Sequence, residues 1–368
     1  MKQSVDAPAK SLSEVLARTL RPEVLKTTAY QVADAGGMVK LDAMENPYAL
    51  PASLQHELGR LAAGAPLNRY PDADASRLRE ALRSTLGVPA GMDLLLGNGS
   101  DELIQLLALA CARPHAAMLG VEPSFAMYPI VARTCGLRFV SVALRADFSL
   151  DVGALIAAIE REQPALVFLA YPNNPTGNLF DARAVERVIE AAPGIVVIDE
   201  AYHPFAQSSF LPRLNEFSNL LVMRTLSKLG LAGLRLGVLV GAAAWIAELN
   251  KLRLPYNVNV LTQLFAEHIL KRDDVLREQA AAIRASRAQL LERLRQIPGV
   301  HAYPSDANFI LFRVAAAEAV FEALKRKGIL IKKLAGSHPA LADCLRVTVG
   351  TPEENAAFLQ ALAAARTV

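Results

Sequence analysis

The sequence predicts an α/β fold, and three observations carry that prediction. Short apolar runs rich in β-branched residues alternate with helix-length segments through the middle of the chain. These runs are continuous rather than alternating in polarity, which marks strands covered on both faces. From about residue 261 the pattern changes to a long, charged helical stretch followed by shorter mixed elements, so a second, smaller lobe is expected. With 368 residues and 52% hydrophobic content, the chain can bury a large core and is long for a single domain.

Residues 1–40 read as an N-terminal arm rather than a domain. Seven strand candidates follow in order: DLLLG, AAMLG, LRFVSVA, ALVFLAYP, IVVIDEAY, LLVMRTLS and RLGVLVG. Between them lie helical patterns such as DELIQLLALACA, ALIAAIERE and ARAVERVIEAA, and this alternation implies βαβ units and a mainly parallel, seven-stranded sheet between helices. The stretch LRLGVLVGAAAWIAEL is long enough to cross a bilayer, but Arg235 and Glu248 bracket it and Gly237 and Gly241 interrupt it. It reads as a buried strand running into a helix. Residues 41–260 are therefore expected to form the large domain. The smaller α+β domain, 261–368, begins with the helical stretch LTQLFAEHILKRDDVLREQAAAIRASRAQLLERLRQI. ANFILFRV, a helix through AVFEALKRKG, GILIKKL, DCLRVTVG and a closing helix PEENAAFLQALAAA complete it.

Composition excludes several functions. Thirty-nine Lys+Arg against 36 Asp+Glu leave a formal charge of +3, too small and too dispersed for a nucleic-acid or membrane partner. The expected partner is a small molecule. Cys111, Cys135 and Cys344 lack CxxC spacing, which fits a reducing, cytoplasmic compartment, and they read as core residues. The first residues carry no apolar stretch of signal-peptide length, so secretion is not expected. The six histidines share no ligand spacing, and no metal site is expected.

In α/β sheets ligands bind beyond the carboxyl ends of strands, so motifs just after strand candidates carry the chemistry. Four stand out. In GNGSDELIQL, Gly97 and Gly99 precede Ser100 and Asp101 at a helix start; this is either a phosphate cradle or an ordinary N-cap serine with acids in the first turn. YPNNPTGN, residues 171–178, is a loop by its prolines and glycine, and Asn174 is placed to donate to a ligand oxygen. In IVVIDEAY, Asp199 ends an apolar run where a carboxylate is costly unless a cation pairs with it, and Tyr202 follows three residues on. In TLSKLGLAGLR, Lys228 follows Ser227, and Arg235 comes seven residues later. A lysine in a desolvated, cation-rich pocket has a lowered pKa and can attack a carbonyl.

Together the four match the demands of pyridoxal phosphate: a phosphate cradle, a carboxylate for a pyridinium nitrogen, amide and phenol donors for a ring oxygen, and a reactive lysine. A P-loop needs GxxxxGK[ST] and a nicotinamide site GxGxxG, and neither follows a strand candidate.

The order NNPTG, DEAY, SK…AGLR, with spacings of 25 from Asn174 to Asp199, 29 to Lys228 and 7 to Arg235, resembles the fold-type-I aminotransferases. The chain is most similar to the histidinol-phosphate aminotransferase family, through YQVADAGGMVKLDAMENPY, LNRYPD, GNGSDE, EPSFAMY, YPNNPTG, VVIDEAY, RTLSKLGLAGLRLG, SDANFILFR and CLRVTVGTPEEN. The resemblance implies that Lys228 holds the cofactor as an internal aldimine and carries the proton between substrate Cα and cofactor C4′. It implies that Asp199 keeps the pyridine nitrogen protonated, that Asn174 and Tyr202 bind the ring 3-oxygen, and that Phe125 stacks on the ring. Ser100, Asp101, Ser227 and Arg235 would hold the phosphate, and Tyr70 would reach it from the neighbouring subunit of a homodimer with shared active sites.

For the substrate, the resemblance places Arg346 on the carboxylate or phosphate, Lys332 where relatives often have a second anion-binding arginine, and Tyr30 near the substrate. Lys332 departs from the family pattern, because an ammonium gives charge without a bidentate fork, and a solvated strand edge explains it equally well. The implied reaction is a ping-pong transamination between L-histidinol phosphate and 2-oxoglutarate in histidine biosynthesis, giving imidazole-acetol phosphate and glutamate. An aromatic amino-acid aminotransferase and a threonine-phosphate decarboxylase are the alternatives on the same scaffold. A ligand-sensing regulator would need a DNA-binding module, which the residues before the core are too short to supply.

Overall fold

The computed structural model describes residues 11–29 and 33–365. Contacts divide the chain into two compact units that meet between Asp34 and Ala35. The first carries the helix Leu12–Thr19, closed at its start by a capping box between Ser11 and Glu14, and the short helix Pro22–Leu25. Tyr30 lies outside the described residues.

Twelve strands occur among the described residues. β1 (Val39–Leu41) precedes β2 (Met92–Asn98), β3 (Ala117–Glu122), β4 (Arg138–Ala143), β5 (Leu166–Ala170), β6 (Ile195–Asp199), β7 (Leu220–Thr225) and β8 (Leu236–Ala242). The later strands are β9 (Val300–Ala302), β10 (Phe309–Val314), β11 (Ile329–Lys333) and β12 (Cys344–Thr348). β2 to β8 are the seven expected from the apolar runs. They form one sheet in the order β2-β8-β7-β6-β5-β3-β4, parallel throughout except that β8 runs against both of its neighbours.

Alternate residues of each strand feed two separate cores. Val196 and Ile198 of β6 face a layer with Leu78, Leu82 and Val185, whereas Ile195 and Val197 face a layer with Leu103, Leu107 and Tyr128. Each fully buried Val, Leu or Ile contributes roughly 1.5–3 kcal/mol relative to exposure, so a run such as IVVI stabilises the sheet from both sides. That is why these strands read as continuous apolar runs.

The second sheet has the order β1-β11-β12-β10-β9 and packs with the helices Asp273–Arg295, Ala317–Arg326 and Pro352–Ala365. Two of its features depart from the sequence reading. Residues 39 and 40, assigned there to the arm, belong to β1, which pairs in parallel with β11 although the two are far apart in sequence. The helical stretch from 261 is two helices, Val260–Leu270 and Asp273–Arg295. The first buries Ala266, Ile269 and Leu270 with the large sheet, and packing with the second sheet begins at Ala280. The charged residues Lys271, Arg272, Asp273 and Asp274 make the junction, with both aspartates in the first turn of the second helix, where the helix dipole favours them. Of the cysteines read as core, Cys344 is buried, while Cys111 and Cys135 are only partly so.

Candidate active site

The carboxyl ends of β5, β6 and β7 and the start of the helix Ser100–Cys111 converge on a cavity of about 110 Å³. Nine of the residues singled out in the sequence line it. Lys228, Asp199, Asn174 and Tyr202 line one part of it with Phe125, and Ser100, Asp101, Ser227 and Arg235 line the other.

Lys228 sits in a single 3₁₀ turn, Ser227–Leu229, directly after β7. Gly230 follows at φ +110°, and a Cβ there would lie 2.8 Å from Asn46 Nδ2. Asn46 in turn donates to Leu229 O at 3.1 Å, pinning the turn that carries the lysine. Lys228 Nζ donates to Ala43 O at 3.1 Å and lies 5.9 Å from the centre of the Tyr202 ring. Burial, reinforced by the Arg346 guanidinium, pulls its pKa from 10.5 down to about 8. The ammonium is therefore close to giving up its proton at neutral pH.

Asp199 is the last residue of β6 and is 95% buried, with 5% exposure. Two neutral donors of the chain hold it, beside the protonated ring nitrogen that the sequence reading expects there. Tyr128 Oη donates to Oδ2 at 2.7 Å, and the Ala201 N–H donates to Oδ1 at 3.0 Å. Burial raises its pKa to about 6, and these two hydrogen bonds oppose the rise. At pH 7 it is mostly an ionised carboxylate in a buried site, and among the described residues no ion pair forms with it, which is a demand for a cationic ligand. Sequence reasoning missed Tyr128. It stands three residues after Phe125 in EPSFAMY, on a helix rather than after a strand, and a single phenol in a helical pattern reads as core.

The two amides of NNPTG have different tasks. Asn173 is spent on the loop, its Nδ2 donating to Pro123 O and Thr176 Oγ1 and its Oδ1 accepting from Ser124. Asn174 faces the cavity, its Nδ2 3.1 Å from Tyr202 Oη and its Oδ1 accepting from Arg346 Nη1 at 2.5 Å. Arg346, on β12 and 5% exposed, also donates from Nη2 to Asp42 O at 2.8 Å and lies over the Phe309 ring. Lys332 stands opposite Arg346 in the β11–β12 register, partly buried. Its neighbour Lys333 is exposed and paired with Glu318 at 2.7 Å.

At the other end, the N-cap serine reading of GNGSDE does not hold. Ser100 is the first helical residue and Gly99 (φ +87°) takes the cap position, so no side chain caps the helix. Its first-turn N–H groups are left for an anion. A Cβ on Gly99 would come within 2.6 Å of Arg235 Nη2, and one on Gly237 within 2.6 Å of the Gly99 carbonyl carbon. Only glycines let the loop, β8 and the guanidinium approach so closely. Arg235 (φ +49°) reaches Ser227 Oγ at 3.5 Å and Asp101 at 3.7 Å, and Thr225 Oγ1 is 2.9 Å from Ser227 Oγ. Tyr70 does not line the cavity. It is 81% exposed and stacks on Tyr256 with ring centroids 4.4 Å apart. Among the described residues no group of three His, Cys, Asp or Glu could hold a metal ion, and no helix is long and apolar enough to cross a membrane.

Comparison with known proteins agrees with this geometry. Residues 37–362 match the model of the family "Aminotransferase class I and II". The chain is 54% identical to histidinol-phosphate aminotransferase 1 of Ralstonia nicotianae over 98% of both chains. It is 56% identical to the histidinol-phosphate aminotransferase of Chromobacterium violaceum, over 93% of this chain and 96% of that one. The chain belongs to the histidinol-phosphate aminotransferase family. The crystal structure of the Sinorhizobium meliloti histidinol-phosphate aminotransferase, solved with pyridoxal-5′-phosphate, superposes with a TM-score of 0.84. It is 25% identical and covers 95% of this chain and 98% of that one.

In this aminotransferase the donor set fits pyridoxal phosphate. An uncapped helix start, Ser227 and Arg235 suit a phosphate, the buried Asp199 suits a protonated ring nitrogen, and Lys228 suits an aldehyde.

Proposed function

We propose that the chain is a pyridoxal-phosphate-dependent transaminase that exchanges amine and carbonyl between L-histidinol phosphate and 2-oxoglutarate. The observation that carries this reading is the convergence of a lysine with a pKa of about 8, a buried ionised carboxylate and an anion cradle on one cavity. Pyridoxal phosphate, when bound, supplies an aldehyde and an electron-withdrawing ring that accepts the charge left on the substrate carbon.

The chain's residues do the rest. Lys228 Nζ, which releases its proton near neutral pH, would hold the cofactor's aldehyde and would serve as the base that moves the substrate's proton. Asp199 would keep the ring nitrogen protonated, and Asn174 and Tyr202, whose amide and phenol are 3.1 Å apart on the cavity wall, would bind the 3-oxygen. Phe125 covers one face of the ring. Ser100 and Asp101 at the helix start, with Ser227 and Arg235, hold the phosphate. Arg346 is held by one nitrogen on Asn174 and by another on Asp42 O, and this buried guanidinium fork is the group we assign to the substrate's anion. That fork serves the phosphate of histidinol phosphate in one half-reaction and a carboxylate in the other. Lys332, opposite Arg346 across the strands, adds charge to the same end.

We further propose a homodimer with shared active sites. Leu67 and Tyr70 in one loop and Leu254 and Tyr256 in another are large apolar side chains left exposed, and the Tyr70–Tyr256 stack holds the two loops together. Tyr70 then reaches the cofactor phosphate of the partner. The compartment is cytoplasmic, which suits three unpaired cysteines.

The test is single-turnover spectroscopy of the cofactor-loaded protein with histidinol phosphate, phenylalanine and phosphothreonine. The expected result is fastest loss of the cofactor band with histidinol phosphate and none of the carbon dioxide that a decarboxylase would release. A faster reaction with phenylalanine, or carbon dioxide from phosphothreonine, would overturn the substrate assignment.

A further inference from the structure

The least expected contact in the site is the phenol on its carboxylate. A side-chain carboxylate turns easily about its last bond, because that torsion has no sharp minima. Asp199 is stopped from turning at two points, by Tyr128 at Oδ2 and by the Ala201 N–H at Oδ1. The second is backbone two residues on, and the first comes from 71 residues away in sequence.

Tyr128 is itself fixed on every side. It is 1% exposed, its ring stacks on Phe168 of β5 with centroids 4.8 Å apart, and its edge meets Phe125 at 5.4 Å and 84°. Its N–H also donates to Phe125 O, so one turn of chain carries both aromatic residues. A buried phenol needs some acceptor, and a main-chain carbonyl would satisfy it. Here the acceptor is the one carboxylate that lines the cavity's buried end, and the ring meets the residue that lines the cavity's face.

We propose that Tyr128 is a positioning residue that locks the orientation of Asp199 toward the cofactor ring nitrogen and braces Phe125 against the ring face, so that one side chain sets both contacts. The inference rests on the pyridoxal phosphate reading of this cavity. It does not depend on which substrate is used.

The experiment is a double-mutant cycle on the full chain, with wild type, Tyr128→Phe, Asp199→Asn and the double variant stripped of cofactor and titrated with pyridoxal phosphate alone. Phenylalanine keeps the stacking on Phe168 and the edge contact to Phe125 and removes only the hydroxyl. The expected result is a Kd about tenfold higher for Tyr128→Phe, the size of one hydrogen bond to a charged group, with a shifted absorbance maximum of the bound cofactor. In the Asp199→Asn background the same change should raise Kd no further. Thermal melting of the cofactor-free proteins provides the structural control. A lower melting temperature with unchanged Kd and spectrum, or an equal loss of affinity in both backgrounds, would remove the positioning role and leave the cofactor reading intact. Failure of the wild type to bind pyridoxal phosphate would remove both.

Discussion

Lys228 offers the sharpest quantitative test, because its reactivity can be read without cofactor or substrate. With a pKa of about 8, about one molecule in ten carries the free amine at pH 7. An ordinary lysine at 10.5 would carry it in about one in three thousand, so the pocket raises the reactive fraction about 300-fold. Trace acetylation with acetic anhydride, followed by peptide mass spectrometry, reports that fraction residue by residue from pH 6 to 11. The rate at Lys228 should rise about tenfold per pH step below 8 and level off above it. Arg346 is the second cause of the shift after burial, so Arg346→Met should move the midpoint upward and slow labelling at pH 7. A wild-type midpoint in the ordinary lysine range, or an Arg346→Met midpoint that stays or falls, would refute the account of the site as a desolvated, cation-rich pocket.

Other perturbations follow from the same geometry. The folded pKa of Asp199 is about 6 against 3.8, a raised acid, so its contribution to stability is present in full below 3.8 and lost as pH rises through about 6. The gap corresponds to on the order of 3 kcal/mol. Asp199→Asn should therefore stabilise the cofactor-free chain at pH 7 in urea titrations while weakening pyridoxal phosphate binding, and destabilisation there would contradict the assignment. Arg346→Lys keeps the charge but loses the fork, so KM for histidinol phosphate should rise about tenfold or more with a smaller change in kcat. Glu200, fully buried against Arg224 at 2.8 Å and bonded to Ser209 and the Phe210 N–H, holds the segment after β6. Glu200→Gln should cost about 3–5 kcal/mol in urea unfolding, the usual cost of breaking a buried pair. If the proposed dimer forms, Tyr70→Phe should leave it intact by sedimentation and weaken cofactor retention, whereas unchanged retention would argue against a shared site.

What was legible in the sequence was whatever leaves a one-dimensional trace. Seven apolar runs mark the seven strands of the main sheet, because burial on both faces demands continuous apolar sequence. The site residues were legible for a related reason. Strand ends are marked by the change from apolar to polar, and ligands in such sheets gather where parallel strands end, so Asn174, Asp199 and Lys228 each announced itself at a boundary. Neither signal existed for β1, whose three residues find their partner β11 only in three dimensions. The break between Val260–Leu270 and Asp273–Arg295 falls in a charged run without glycine or proline, so periodicity carries through it unmarked.

Tyr128 shows where such reading stops in principle. Its residue type, spacing and neighbours are those of a core aromatic, and it is one, stacked on Phe168 in the layer beneath the sheet. Its second task depends on a hydroxyl meeting a carboxylate 71 positions away, and nothing local encodes that meeting. Yet its existence follows from a physical demand that was legible, since a carboxylate at the end of an apolar strand must be held by something. The sequence reading answered that demand with a protonated pyridine nitrogen. The structure adds two neutral donors, and among the described residues no ion pair forms with Asp199, so its charge is left available to a cationic ring. A protein that had supplied its own arginine there would have gained a satisfied core and lost the reason for a protonated pyridine to bind.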